Sequence, residues 1–184
     1  MDWYHCKLEV MEKVKESGLE YTAFRNGQLI NYWAHGSPHL KAVEEGLAGM
    51  GFAFVVDVGN ETAEIPGTGD QKVTFTRTQD VGAFVAAAVG LEKWEEEMGM
   101  GGETTTYNKV VRKVKEMGRK MEVTYRSRDR EDGGRKFYLQ AMLAVAKGEG
   151  EIKMRLNELV PEIKLWGVDK FLGIWWGNEG SGEK

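Results

Sequence analysis

With 184 residues, 41% of them hydrophobic and 29% charged, and a formal net charge of −4, the chain has the composition of a soluble globular protein with one real core, and its charge selects no class of partner. A single cysteine, Cys6, excludes an intrachain disulfide framework and suits a reducing compartment. The opening MDWYHCKLEVMEKV is charged throughout, unlike a secretory signal, and the longest uncharged apolar run, from Val81 to Leu91, is too short to span a bilayer, so a cytoplasmic protein without a membrane anchor is expected.

WYHCKLEVMEKVKES predicts a helix that stops at Gly18. At about 100° per residue, Trp3, Val10, Met11 and Val14 share one stripe, with Glu9, Glu12, Lys13 and Glu16 opposite. Lys7 falls in the middle of the apolar stripe, where a helix serving only a core would carry Leu or Ala. A lysine there snorkels, meets a buried partner, or faces a cleft that uses its charge, which makes Lys7 the first candidate for chemistry. A short strand, Tyr21–Arg25, and a turn at Asn26-Gly27 follow, and then QLINYWAHGSPHL, aromatic, loop-like and broken by Gly36 and Pro38. Residues 41–51 predict a polar helix ending in a glycine-rich corner, and FAFVVDV at 52–58 reads as a strand. After the turn IPGTGD, QKVTFT alternates as another strand.

Thr76 or Thr78 is expected to cap the next helix, with Asp80 at its dipole end and VGAFVAAAVGL as its body. Gly82, Ala83, Ala86 and Ala87 form a small-residue face suited to lying close against a sheet. Past a glycine-rich loop at 99–102, TTTYNKVVRKVKEM predicts a capped helix with Val110, Val111, Val114 and Met117 inward and Gly118 as its stop. A strand MEVTY, a charged connection RSRDREDGGRK, a helix FYLQAMLAVAK and a segment around Pro161 come next. The final helix places Val168, Phe171, Leu172 and Trp175 at i, i+3, i+4 and i+7, and the tail GNEGSGEK is expected to be disordered. This order defines an α/β class with fewer strands than a full open sheet, organised as one domain over 1–176 and a tail over 177–184.

Three passages, KLEVMEKVKESGLEYTAFRNG, AEIPGTGDQKVTFTRTQDVGAFVAAAVGLEKW and GGETTTYNKVVRKVKEMGRKMEVTYRS, resemble the NmrA-like, isoflavone-reductase-like branch of the atypical short-chain dehydrogenases, its fungal members above all. The resemblance covers essentially the whole chain but only the later part of such a protein. It implies the C-terminal part of a NAD(P)-binding Rossmann-like fold with its substrate-binding region, the N-terminal glycine-rich βαβ unit that would hold the pyrophosphate being missing. The one lookalike, Gly46-Leu47-Ala48-Gly49-Met50-Gly51, has a predicted helix before it and a strand after it, the reverse of a phosphate loop.

By this resemblance Lys7 matches a lysine beside the nicotinamide ribose that assists proton transfer in some members; the plain alternative is a snorkelling lysine on a helix edge. The Tyr-x-x-x-Lys pattern is broken, because Trp3 holds the tyrosine position and Tyr4 comes one residue late. Asn26 and Gly27 match a turn that passes the nicotinamide, or are an ordinary strand-end turn needing positive φ. Ile30, Tyr32 and Trp33 match the lining of the substrate pocket, or are core side chains. NADP or NAD is the implied cofactor and a small organic molecule the implied substrate.

His35 and His39 have the spacing of a zinc pair on a helix, but Gly36 and Pro38 deny that helix and no third ligand is near in sequence, so no metal site is expected. Between Lys109 and Lys136 eleven basic residues are interleaved with five acidic ones, a net +6. With aromatics scarce there, the segment reads as a solvated helix and loop and not as a nucleic-acid surface. Three functional readings stand: an NAD(P)H-dependent oxidoreductase, a non-catalytic dinucleotide-sensing regulator with a protein partner, favoured by the missing tyrosine, and an inactive truncated fragment. The last predicts an exposed patch at Leu165, Trp166, Phe171, Leu172, Trp175 and Trp176.

Overall fold

The computed structural model describes residues 3–39, 53–126 and 136–177. The predicted helix over 41–51, its glycine-rich corner, most of the charged connection after Arg126 and all but the first residue of the tail lie outside them.

α1 (Trp3–Glu16) ends as its sequence requires, at Gly18 with φ of +70°. Its apolar side is covered only in part. Met11 and Val14 are half-buried, whereas Lys7, Leu8 and Val10 are exposed, and from Cys6 to Glu16 no side chain of α1 enters either hydrophobic core. The expected buried stripe is therefore not built here, and the lysine at its centre faces outward.

Among the described residues eight strands form three small sheets. β1 (Ala23–Arg25) runs parallel to β6 (Glu97–Gly99), with Phe24 opposite Met98. Beyond Asn26-Gly27 the chain resumes as β2 (Gln28–Leu29), parallel to β5 (Lys72–Thr76), which also pairs antiparallel with β7 (Glu103–Thr106). β4 (Thr62–Pro66) joins β3 (Val56–Asp57) antiparallel and β8 (Glu122–Arg126) parallel. The α/β class holds, with the strands divided among short sheets. The aromatic segment expected as a loop instead forms β2 and a 3-10 helix, Ile30–Ala34. Burial drives it: Trp33 packs on Phe75 with ring centroids 5.0 Å apart, and Trp176 Nε1 donates to the Trp33 carbonyl at 2.7 Å.

α2 (Thr78–Ala88) departs from expectation twice. Its N-cap is Arg77, without a side-chain cap, and the free N–H of Thr78 is met from a distance by Asn31 Oδ1 at 2.8 Å. Gly82, Ala83 and Ala86 face solvent, and the buried face is Asp80, Phe84 and Ala88. Burying one phenylalanine removes more apolar surface from water than burying several alanines, so the larger side chain sets the helix's orientation. The run of threonines expected in a helix is β7, as β-branched residues favour; Thr74 and Thr104 hydroxyls meet at 2.9 Å across the β5–β7 pair. α3 (Tyr107–Glu116) then starts at its N-cap Thr106, whose hydroxyl accepts the Lys109 N–H at 3.2 Å. Val110, Val111 and Val114 are buried as anticipated, and Gly118 closes the helix at φ of +87°.

α4 (Lys136–Ala146) and the short α5 (Arg155–Leu159) lead to α6 (Val168–Trp176). Val168, Phe171, Leu172 and Trp175 are all 2% exposed or less. The patch expected of a fragment at this aromatic helix is thus absent, because α6 lies in the main core with the 3-10 helix, β4, β5 and α3. A second core gathers Phe84 and Ala88 of α2 with Met98, Met100, Leu156 and Val160. No helix among the described residues is long and apolar enough to cross a membrane.

Candidate functional site

Parallel strands of an α/β fold receive ligands at their carboxyl ends. β1 ends at Arg25, so Asn26 and Gly27 stand at such an end, between β1 and β2. Asn26 is half-buried and its Nδ2 donates to the Gly27 carbonyl at 3.3 Å. Gly27 has φ of +64°, and a Cβ there would collide with the Thr74 backbone carbonyl. Its glycine is therefore demanded by the kink against β5, with no ligand needed to account for it.

Of the residues matched to a substrate pocket, Ile30 and Trp33 are 0% and 2% exposed and belong to the main core. Tyr32 between them is half-buried beside Phe54, centroids 6.2 Å apart. Lys7 is exposed on α1, and the side chains of Trp3 and Tyr4 fall outside the description. The structure so joins Asn26, Gly27 and the 3-10 helix on one continuous stretch, and Lys7 is exposed on α1.

Two polar clusters escaped the sequence reading. Asn31, 1% exposed, donates from Nδ2 to Gln79 Oε1 at 3.2 Å while capping α2. The signal was a lone amide inside the apolar run LINYW. Near the start of α2, Asp80 accepts the Trp166 N–H at 3.1 Å and an ion pair from Arg77 at 3.2 Å, and the Arg77 guanidinium lies 3.8 Å over the Trp166 ring. Burial pushes the Asp80 carboxyl above its ordinary value, against the opposing pull of the Trp166 N–H, Arg77 and Lys170. Glu103 adds a second tie by accepting the Val168 N–H at 2.8 Å, so the segment before α6 is held to both α2 and β7. An Arg-x-x-Asp spacing across a helix start was the available sign.

His35 and His39 flank a turn, with Gly36 at φ of +75° and the His39 N–H donating to Ser37 Oγ at 3.1 Å. Among the described residues no three His, Cys, Asp or Glu side chains converge as metal ligands. The basic stretch is divided by acids: Lys113 pairs with Asp169, Arg126 with Glu64 at 2.7 Å, and Arg119 with Glu61 at 3.9 Å while covering the Trp176 ring at 4.3 Å.

No family model matches the chain. The oxidoreductase BOA1 of Botryotinia fuckeliana (strain B05.10) is 30% identical over 105 residues, which are 57% of this chain and 33% of that protein. Among solved structures, AtPrR2 with NADP+ and (+)pinoresinol matches with a TM-score of 0.67 at 18% identity, over 92% of this chain and 55% of its own. Isoflavone reductase matches with a TM-score of 0.66 at 17% identity, over 90% of this chain and 56% of its own. The fold is that of the C-terminal portion of a NAD(P)-binding Rossmann-like reductase of the isoflavone-reductase-like kind. The chain spans about a third of its fungal relative and a little over half of the solved reductases, 33% against 55% and 56%.

Of the residues matched to a cofactor site, Lys7 offers a cation on the exposed side of α1 and Asn26 an amide at the carboxyl end of β1, while Gly27 is packed against the Thr74 backbone. Among the described residues no glycine-rich turn opens a helix after a strand in the manner that holds a pyrophosphate.

Proposed function

We propose that the chain is the substrate-side portion of an NAD(P)H-dependent reductase acting on a small organic molecule. The observation that carries this reading is the superposition of about nine-tenths of the chain on reductase folds, one of them solved with NADP+ and (+)pinoresinol. In this reading Lys7 stands on the cofactor side, Asn26 and Gly27 form the turn beside the nicotinamide, and Tyr32 is the residue of the 3-10 helix left open to a substrate, Ile30 and Trp33 supporting it from the core. The cofactor supplies the hydride; the chain's own residues bind and orient.

The second reading, a dinucleotide-sensing regulator without turnover, is kept because Trp3 stands where the Tyr-x-x-x-Lys pattern has its acid. Titration with NADPH, followed by nucleotide fluorescence with Lys7→Ala as control, tests both. Saturable binding weakened about tenfold or more in the variant supports the Lys7 face as a nicotinamide site. Binding with no consumption of NADPH across carbonyl and activated-alkene substrates favours the regulator. No binding, by the chain alone or joined to a dinucleotide-binding portion, sinks both readings.

A further inference from the structure

Among the described residues β8 is the outer strand of its sheet, with β4 beside it and β3 beyond. Its ladder to β4 fixes which of its peptide groups are used. The Glu122 N–H donates to the Glu61 carbonyl at 2.8 Å, and the Arg126 carbonyl accepts the Gly67 N–H at 3.0 Å, at the two ends of an unbroken parallel register. Every second residue of a parallel strand bonds the neighbour, so Glu122, Thr124 and Arg126 turn their peptide groups to β4, and Val123 and Tyr125 turn theirs outward. Thr124 and Tyr125 are exposed, Tyr125 by 53%. Proteins blunt such an edge with lysine, proline, a bulge or shortness. On the far side of the sheet β3 is 2 residues long and follows Val55 at φ of +64°, whereas β8 is 5 residues long and has none of those devices.

The sequence of that edge is its own complement. Laid antiparallel on a second copy, about a two-fold axis through Thr124, it sets Glu122 opposite Arg126, Val123 opposite Tyr125 and Thr124 opposite itself. Opposed residues share a face, and all three matches favour a sheet: unlike charges, a β-branched side chain against an aromatic one, threonine against threonine. In the same register the outward peptide groups of Val123 and Tyr125 meet as a hydrogen-bonded pair. Sliding by two residues either way keeps those groups facing but sets Thr124 against Glu122 or Arg126, and the charge match is lost. Arg126 is 2.7 Å from Glu64, so in the pair its guanidinium stands between two carboxylates. Tyr125 lies opposite buried Ile65 in the ladder, and its hydroxyl donates to Asn108 Oδ1 at 3.0 Å, which anchors the ring at the open edge. We propose that β8 is a docking edge for a second copy of this chain, joining two three-stranded sheets into one. β8 is in a different sheet from β1 and β2, which flank Asn26 and Gly27, so the docking edge and the reductase reading stand or fall separately.

Sedimentation equilibrium of the chain at concentrations up to about 1 mM should show a reversible dimer. Residue-resolved amide exchange identifies the face. The Val123 and Tyr125 amides should slow at least about tenfold as concentration rises, while that of Glu122, already donating to Glu61, changes less. Glu122→Arg and Arg126→Glu, each alone, oppose like charges and should weaken the dimer about tenfold or more. Their equimolar mixture restores both charge pairs between unlike copies and should dimerise with nearly the original strength. A monomer at every concentration would overturn the proposal, as would a dimer whose Val123 and Tyr125 amides exchange as in the monomer. Single variants that dimerise as tightly as the unsubstituted chain, or a mixture no tighter than its components, would also overturn it. The exchange measurement needs no substitution, so it decides even where a variant folds poorly.

Discussion

Gly27 shows how a single residue ties the candidate site to the fold. Its positive φ turns the chain out of β1, and the Thr74 carbonyl fills the space a side chain would need. Gly27→Ala would strain the backbone and push against a strand that cannot retreat without losing the β2–β5 pairing, so a cost of about 3 kcal/mol in urea unfolding is expected. A loss below about 0.5 kcal/mol would show that the kink is not packed. Asp80 gives a pH signature. Because burial raises its folded pKa, its contribution to stability is complete below the ordinary 3.8 and declines as pH rises through the raised value. Asp80→Asn keeps an acceptor for the Trp166 N–H and removes the titration. The wild-type urea midpoint should fall relative to the variant across that window and run parallel above it; curves parallel throughout would refute the burial argument. Lys7 was conspicuous in the sequence because a helical wheel says which side of α1 is apolar. The wheel carries no information on what lies against that side, and here much of it faces solvent.

Individual helices and strands were legible wherever local pattern and packing agreed. The i, i+3, i+4, i+7 set of α6 and the valines of α3 are buried as their spacing requires. Patterns failed where a distant partner intervened. Thr104 and Thr105 read as a helix start, but β5 recruits them into a strand. The N-terminus of α2 has its N–H met by Asn31, 47 residues away. Likewise α6 begins at Gly167 with no side-chain cap of its own, and Glu103 reaches the Val168 N–H from β7. Glu103→Ala should cost about 1 kcal/mol, close to the loss of a helix cap, with Glu103→Gln recovering most of it. Equal losses for both variants in chemical denaturation would assign the effect to charge and not to the hydrogen bond.

Stability across the molecule should follow its two cores. Trp175, 2% exposed in the main core, is expected to cost about 3–5 kcal/mol when replaced by alanine, against less than about 0.5 kcal/mol for Leu8→Ala. Comparable midpoint shifts for the two would mean that α1 is packed in solution. The sequence carried the α/β class, the helix periods and the resemblance to isoflavone-reductase-like proteins, since these are written in residues close together along the chain. Which apolar faces are covered was settled by contacts among residues far apart. For that reason the aromatic C-terminal helix, the more hydrophobic of the two on inspection, is buried, and the modest stripe on α1 is the one left open.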